Sequence, residues 1–233
     1  MIIYERGNAA KQWIFLELDR LTQSGPLRIL DLACGDGRLW KLFLDMHPHV
    51  SVVGIDTDAG AISRGRLTYG RTQLELRVFD AQHPVSDEPF DVVVAFSAME
   101  HVVHREAFLR TVWQGLAPQG TAYLNYDAGH FRSSNIKERV MVPVSQLLAI
   151  FGMEGPYMKR VDDALFAEQA RRQGFLIQGT RKHNLHPLKG FMRGKSDEMI
   201  KAWVAFEEQL NDLGTSIDLD RVMWSTTLIL QKP

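Results

Sequence analysis

Short apolar runs alternate with helical patterns along most of the chain, and this alternation restricts the fold more than any other feature. The runs RILDLA, VSVVGID, LELRVFD, FDVVVAFS and TAYLNYD each read as a buried strand. Helical spacing of apolar residues separates most of them. This order predicts an α/β protein with a parallel sheet and helices on both faces. Two later runs, FLIQGTRK and VMWSTTLIL, complete a set of seven predicted strands.

Three of the predicted strands end in an aspartate. Asp31 lies near the end of the first run, Asp56 ends the second and Asp80 ends the third. The carboxyl ends of parallel strands meet at one edge of the sheet, where open α/β sheets bind their ligands. The sequence therefore predicts a ligand crevice lined by three carboxylates.

The turn after the first strand, ILDLACGDGRLW, has the glycines of a cofactor-binding loop but an unusual charge. A dinucleotide site would have a third glycine where Trp40 stands, and Asp31 would repel the pyrophosphate. A cofactor with a positively charged amino group would instead be stabilised by the carboxylate, and glycine lets the backbone approach closely.

The segments DLACGDG, GIDTD, FDAQ and AFSAMEHV, in this order, resemble the motifs of the class I S-adenosylmethionine (SAM)-dependent methyltransferases. The resemblance extends over roughly residues 8–125. It implies a mostly parallel, seven-stranded Rossmann-like sheet whose last strand is antiparallel. It also implies SAM as the cofactor and a small molecule as the substrate.

The resemblance assigns the methionine end of SAM to the glycine turn. Asp31 would accept from the amino group, and Gly35 and Gly37 would let the backbone approach. Ala33 stands where the family has its first glycine. The family position in AFSAMEHV, Phe96 with Ser97, would line the floor of the cleft.

The resemblance assigns the adenosine part to the second and third strand ends. Asp56, with Thr57 beside it, would accept from both ribose hydroxyls, because one carboxylate has two acceptor oxygens. Asp80 would accept from the adenine amine, and the Ala81 N–H would reach a ring nitrogen. The N-terminal helix, with Tyr4 and Trp13, would close over the cofactor.

Three residues are candidates for a catalytic base. His101 follows the fourth strand, and Tyr126 and His130 follow or end the fifth. A base is needed only when the nucleophile starts protonated. No metal is expected, because Ser97 replaces the first glutamate of the Glu-x-x-Glu-His motif of metal-assisted relatives.

Two irregular stretches are expected to form the substrate site. We predict one domain, 1–233, with a cofactor core at 26–126 and lid insertions at 127–161 and 183–212. The first insertion mixes apolar and aromatic residues and suits an apolar small molecule. The second contains RKHNLHPLKGFMRGK, which is basic and suits a phosphate, a carboxylate or RNA, or is only a solvated face.

Composition limits the partners. A formal net charge of -1 provides no global attraction for nucleic acid, so an RNA methyltransferase is the less favoured reading. Methylation of nucleobases loses further support. The chain reads Ser-Ala-Met-Glu from Ser97, where base amino-group methyltransferases have an Asp/Asn-Pro-Pro-aromatic signature. Carbon-5 cytosine methylation needs a cysteine nucleophile, but the single cysteine, Cys34, lies in the glycine turn. A non-catalytic partner subunit is the other alternative. We expect a cytoplasmic protein without a membrane segment, and an oligomer stays open.

Overall fold

A computed structural model describes residues 1–85, 88–128, 131, 136–153, 157–186, 188–213 and 219–233. Within these residues the chain forms a seven-stranded sheet. The strands are β1 (Leu27–Leu32), β2 (Val50–Asp56), β3 (Leu74–Val78), β4 (Phe90–Ala95), β5 (Leu116–Asp127), β6 (Leu176–Leu185) and β7 (Met223–Gln231).

The strands are arranged in the order β3-β2-β1-β4-β5-β7-β6. Strands β1 to β5 pair in parallel, whereas β7 lies antiparallel between β5 and β6. The predicted mostly parallel sheet with an antiparallel last strand is therefore confirmed. The strand order reverses between β1 and β4, and such a switch point opens a crevice at the carboxyl ends of the strands.

Helices cover both faces of the sheet. They are α1 (Ala9–Thr22), α2 (Trp40–Met46), α3 (Ala59–Tyr69), α4 (Arg105–Gly115), α5 (Ile136–Ile150), α6 (Asp163–Arg172) and α7 (Asp197–Asp212). Asn8 caps α1 as expected, because its side-chain oxygen accepts from the Lys11 N–H at 3.2 Å. Asp58 caps α3 in the same way at 2.9 Å.

Two apolar cores lie on opposite faces of the sheet. On one face, Phe108 of α4 and Phe166 of α6 pack in the same buried cluster as Leu30 and Leu124. On the other face, α1, α2 and α3 supply the buried residues, with Phe15, Trp40 and Phe43 in ring contact. Burial of both faces explains why the parallel strands are nearly continuous apolar runs.

The regions expected to form lids contain regular structure. Helix α5 occupies much of the first region, and strand β6 continues to Leu185, beyond the predicted start of the second. Helix α7 packs against α1 and β6, with Trp203 buried. Coverage of a bound acceptor by either region stays a prediction. Among the described residues, no helix combines the length and apolar character needed to cross a membrane.

Candidate cofactor and methyl-transfer site

Asp31 provides the clearest indication of a ligand. Its side chain is buried near the end of β1, and Oδ2 accepts a hydrogen bond from the Trp40 indole at 2.6 Å. Oδ1 is also buried and has no donor within the described part of the chain. Burial raises the pKa of Asp31 to about 7, although the Trp40 hydrogen bond and the charge of Lys11 oppose the shift. A buried acceptor without a donor is costly, so Oδ1 suits a donor that a ligand brings.

The glycine turn after β1 is built from left-handed backbone. Ala33, Gly35 and Gly37 have φ values of 64°, 61° and 73°. A Cβ on Gly35 would meet nothing within 4 Å, so this part of the turn is open to a ligand. A Cβ on Gly37 would instead lie 2.9 Å from Leu76, so Gly37 serves packing. Ala33 holds the same conformation at a steric cost.

Helix α3 approaches the turn very closely at Gly65. A Cβ built on Gly65 would lie 2.2 Å from the carbonyl oxygen of Asp36. The turn is also tied to β2, because the Gly35 N–H donates to Asp56 Oδ2 at 2.8 Å. Sequence analysis missed Gly65, because a glycine inside a helix gives no sign of which backbone lies against it.

The second and third strand ends line one cavity of about 530 Å³. Asp56, Thr57, Asp80 and Ala81 all line it, as the family resemblance implies. Asp56 Oδ1 accepts from the Asp58 N–H at 2.8 Å, and Asp80 Oδ1 accepts from the Gln82 N–H at 2.8 Å. These backbone bonds fix both carboxylates while leaving lone pairs for a ligand. The exposed ring of Phe79, which sequence analysis did not select, lines the same cavity.

A second cavity, of about 340 Å³, contains Asp31, Gly35 and Phe96. Ala33 lines both cavities, so they meet at the glycine turn. Lys11 of α1 also lines the second cavity, and burial lowers the pKa of its amine. Its Nζ lies 6.0 Å from the centre of the Phe96 ring.

Helix α1 contributes Lys11 to this cavity, and not the expected Tyr4 or Trp13. Trp13 packs against Tyr123 and His183, and Tyr4 packs against Phe15 and Phe43. Their apolar faces are in the core, so they line neither cavity. Lys11, on another face of the helix, lines the second cavity in their place.

Ser97, after β4, is held in a strained conformation beside the first cavity. Its φ is 54°, and its Oγ lies 3.3 Å from Asn125 Oδ1. The buried Asn125 amide donates to Ser225 Oγ at 3.0 Å, Thr226 O at 3.0 Å and Thr227 Oγ1 at 3.1 Å. Non-glycine residues in this backbone region cluster at functional sites. The β4 turn is therefore fixed through β5 to β7.

A charged cluster lies at the ends of β4 and β5. Lys189 Nζ donates to the carboxylate of Asp127, whose side chain is buried. Glu100 is buried next to them, and its Oε2 has no partner among the described residues. Burial, and then the charge of Asp127, raises the pKa of Glu100 to about 7 while Lys189 opposes the shift.

The structure places the candidate bases in different surroundings. His101 lines the first cavity close to Ser97, and its Nδ1 lies 3.2 Å from the Tyr157 carbonyl oxygen. Tyr126 lines another cavity, of about 410 Å³, where its hydroxyl binds Asp163 and Thr226. Burial, then Asp163, raises the pKa of that hydroxyl far above its usual value. His130 lies outside the described residues.

The basic stretch at 181–195 is largely neutralised by protein groups. Arg181 pairs with Asp212 at 2.6 Å, and Lys182 pairs with Asp163 and, at 2.6 Å, with Asp220. His183 is fully buried, and burial lowers its pKa to about 3. This stretch is therefore not a continuous basic surface. Within the described residues, no group of three His, Cys, Asp or Glu side chains is placed to hold a metal ion.

Comparison with known families identifies the central part of the chain. Residues 30–124 match a family model described as "Methyltransferase domain". A trans-aconitate 2-methyltransferase of Streptomyces coelicolor is 33% identical over 116 residues, which cover 46% of this chain and 38% of the relative. A ubiquinone biosynthesis O-methyltransferase of Bradyrhizobium is 33% identical over 96 residues, covering 40% of this chain and 37% of the relative. The matches thus span less than half of the relatives' own length.

Solved structures extend the likeness to the whole fold. A SAM-dependent methyltransferase from Mesorhizobium loti superposes with a TM-score of 0.62 at 21% identity, covering 96% of this chain and 98% of the other. A sarcosine dimethylglycine methyltransferase candidate from Galdieria sulphuraria gives 0.60 at 13% identity, covering 95% and 84%. The family model, the strand order and these neighbours agree with the motifs at the strand ends. Residues 30–124 therefore match a methyltransferase domain, and the chain has the Rossmann-like fold of SAM-dependent methyltransferases.

Proposed function

We propose that this chain transfers the methyl group of SAM to an oxygen or nitrogen atom of a small molecule. The observation that carries the proposal is the buried Oδ1 of Asp31, which has no partner among the described residues and lies beside a glycine turn that is open at Gly35. A carboxylate in that position is suited to the ammonium group of a methionine moiety. A dinucleotide pyrophosphate would be repelled from it.

The residues of the two cavities that share Ala33 fit the parts of SAM. Asp31 and Gly35 would hold the amino-acid end, Asp56 with Thr57 the ribose, and Asp80 with Ala81 the adenine. Lys11 and Arg38, which line the cavity of Asp31, would bind the methionine carboxylate. Phe96 and Ser97 form the wall between this end and β4.

When bound, SAM supplies an electrophilic methyl group on a sulfonium. The chain's own residues then have to orient the acceptor and exclude water, which can supply most of the rate enhancement. Ser97, which lines the first cavity, donates to Asn125 Oδ1 at 3.3 Å and would take part in this positioning. For an acceptor that starts protonated, His101 is the candidate base, because it lines the cavity next to Ser97. Tyr126 lines a different cavity and stays an untested candidate.

The curated relatives suggest the first acceptors to try. They include methyltransferases named for trans-aconitate, malonyl-[acyl-carrier protein] and ubiquinone biosynthesis. Neutralisation of Arg181 and Lys182 by carboxylates supports a small molecule over RNA. The absence of nucleic-acid binding, the oligomeric state and a cytoplasmic location stay predictions.

Calorimetric titration tests cofactor recognition. The full chain is titrated with SAM, S-adenosylhomocysteine and NAD, and the titrations are repeated with Asp31→Asn and Asp56→Asn. Each variant is expected to weaken SAM binding about tenfold or more, the scale of a lost charge-assisted hydrogen bond. Asp45→Asn, an exposed carboxylate that pairs with Lys41 and Arg71, is the matched control. Equal affinity in all variants, or tighter binding of NAD, would contradict the proposal.

Transfer is measured separately. Purified chain, methyl-labelled SAM and each candidate acceptor are incubated without any other protein. Labelled product supports catalysis by this chain alone. SAM binding without any product, over the acceptors tried, would instead favour the non-catalytic subunit.

A further inference from the structure

Helix α5 presents polar side chains to the protein and apolar side chains to the solvent. Ser145 is buried, and its Oγ accepts from the Met158 N–H at 3.1 Å. The Gln146 side-chain amide donates to the Met158 carbonyl at 3.0 Å. In an ordinary surface helix the apolar side chains face the core and the polar ones face water. The arrangement around Ser145 and Gln146 is the reverse.

The outer face of α5 is a continuous apolar row. Val140, Val144 and Leu147 recur at intervals of four and three residues, which places them on one side of the helix, and Phe151 extends the row. All four are exposed, Phe151 at 73%, and Ile150 beside it is 78% exposed. Single exposed apolar side chains are common, but a contiguous patch marks an interaction surface.

The charges of this part of the chain lie at the two ends of the apolar row. Residues 140–153 contain no Asp, Glu, Lys or Arg. Residues 131–160 as a whole contain five Lys or Arg residues and two Glu residues, an excess of three positive charges in a chain whose formal net charge is -1. Lys159 and Arg160, which directly follow Met158, are both exposed. An apolar row flanked by basic residues is typical of helices that lie on an anionic lipid surface.

The end of α5 lies beside the proposed cofactor site. The helix ends in a turn in which the Gly152 N–H donates to the Ala149 carbonyl at 3.0 Å. Gly152 has a φ of 79° and lines the same cavity as His101. The Tyr157 carbonyl, in the segment that holds α5, also contacts His101. A partner that covers the outer face of α5 would therefore lie next to this cavity.

We propose that α5 docks on an anionic lipid membrane, with Leu147 and Phe151 among the acyl chains and Lys159 near the headgroups. The 15 residues of α5 are fewer than the ~20 that cross a bilayer, so the helix would lie on the surface. The row stands out from one convex helix, whereas small-molecule sites are concave. A symmetric contact with a second copy would bring two positively charged segments together. The inference does not depend on the proposed methyl transfer.

Flotation of the full chain with vesicles tests the proposal. Vesicles of equimolar phosphatidylglycerol and phosphatidylcholine are compared with vesicles of phosphatidylcholine alone. The chain is expected to float with the anionic vesicles, to bind the neutral ones at least tenfold more weakly, and to lose affinity as salt is raised. Failure to float with anionic vesicles would overturn the proposal. A dimer that Ile150→Gln dissociates, found without flotation, would show that a second copy covers the face.

Variants test whether α5 is the docking surface. Leu147→Gln/Phe151→Gln changes two exposed side chains, so thermal unfolding should match that of the original chain, whereas vesicle binding should fall at least tenfold. Leu67→Gln is the matched control, because Leu67 is 87% exposed on α3, and it should bind vesicles like the original chain. Lys159→Gln/Arg160→Gln should weaken binding at low salt and have little effect at high salt. Unchanged binding of the α5 variant, or an equal loss in Leu67→Gln, would overturn docking through α5.

Discussion

Replacement of Gly65 by alanine tests whether α3 holds the glycine turn in place. The new Cβ would lie 2.2 Å from the Asp36 carbonyl oxygen, 2.7 Å from Leu76 Cδ1 and 2.8 Å from the Asp36 carbonyl carbon. A contact below 3.0 Å does not persist, so the Asp36 carbonyl must move by about 1 Å. Because the obstacle is backbone, we place the overpacking cost near 3 kcal/mol, at the upper end of its usual range.

Alanine also improves the helix, and this opposes the clash. Ala is favoured over Gly by about 1 kcal/mol in a helix interior, so the net loss should be about 2 kcal/mol. For a chain of this size, this corresponds to a fall in Tm of roughly 4–8 °C. The shifted turn should also lose the Gly35 to Asp56 hydrogen bond. We therefore expect SAM affinity to fall about tenfold or more.

Gly60→Ala, in the same helix, is the matched control. Its Cβ would meet only side-chain atoms, Asp58 Oδ1 at 3.1 Å and Arg64 Nη1 at 3.2 Å. It should be as stable as the original chain, or up to about 1 kcal/mol more stable. Thermal unfolding measures the stability of both variants, and calorimetry measures their SAM affinity. A Gly65→Ala chain that is as stable as Gly60→Ala and binds SAM normally would refute the reasoning.

Three further predictions concern the same site. Burial raises the pKa of Asp31 to about 7, and the ionised carboxylate is the form that binds an ammonium group. SAM binding should therefore be strongest above pH 7 and about tenfold weaker at pH 6 than at pH 8. Calorimetry should show that Asp31→Asn removes most of this pH dependence. Asn125→Ala removes the amide that donates to three buried acceptors. Urea unfolding should therefore show a loss of about 1–3 kcal/mol, with weaker SAM binding. Ala33→Gly removes the steric cost of an alanine in the left-handed region but increases the conformational entropy of the unfolded chain. Because these effects oppose each other, urea unfolding should show a change in the free energy of unfolding of less than about 1 kcal/mol. A larger loss would show that the Ala33 methyl group contributes to packing.

The fold and the cofactor end of the site were predictable because both depend on local sequence. Strands that are buried on two faces are apolar runs, and their final residues mark the ligand edge. Asp31, Asp56 and Asp80 could therefore be placed from the sequence alone. The antiparallel β7 followed from the family resemblance.

The remaining features depend on contacts between distant segments. Lys11 and Trp13 are two residues apart on one helix, and only tertiary packing decides which of them faces the crevice. Tyr126 and Asp127, at the end of β5, both line the cavity of about 410 Å³ and not the cavity of His101. The sequence places them at the edge of the sheet, but it does not show which cavity they line. Helix α5, with Pro143 inside it, lacked a clear helical pattern.

The place of β7 in the sheet has a consequence for how the chain folds as it is synthesised. Strand β6 has β7 as its strand neighbour, and β5 joins it only through β7. Until residues 223–231 leave the ribosome, β5 and β6 both present open edges, which are templates for aggregation. Ser225 and Thr227 arrive with the same strand and then receive the Asn125 amide. The turn at Ser97 is thus completed only after β7 has been translated, so a nascent chain can form the β1–β3 half of the crevice well before the half at β4 and β5.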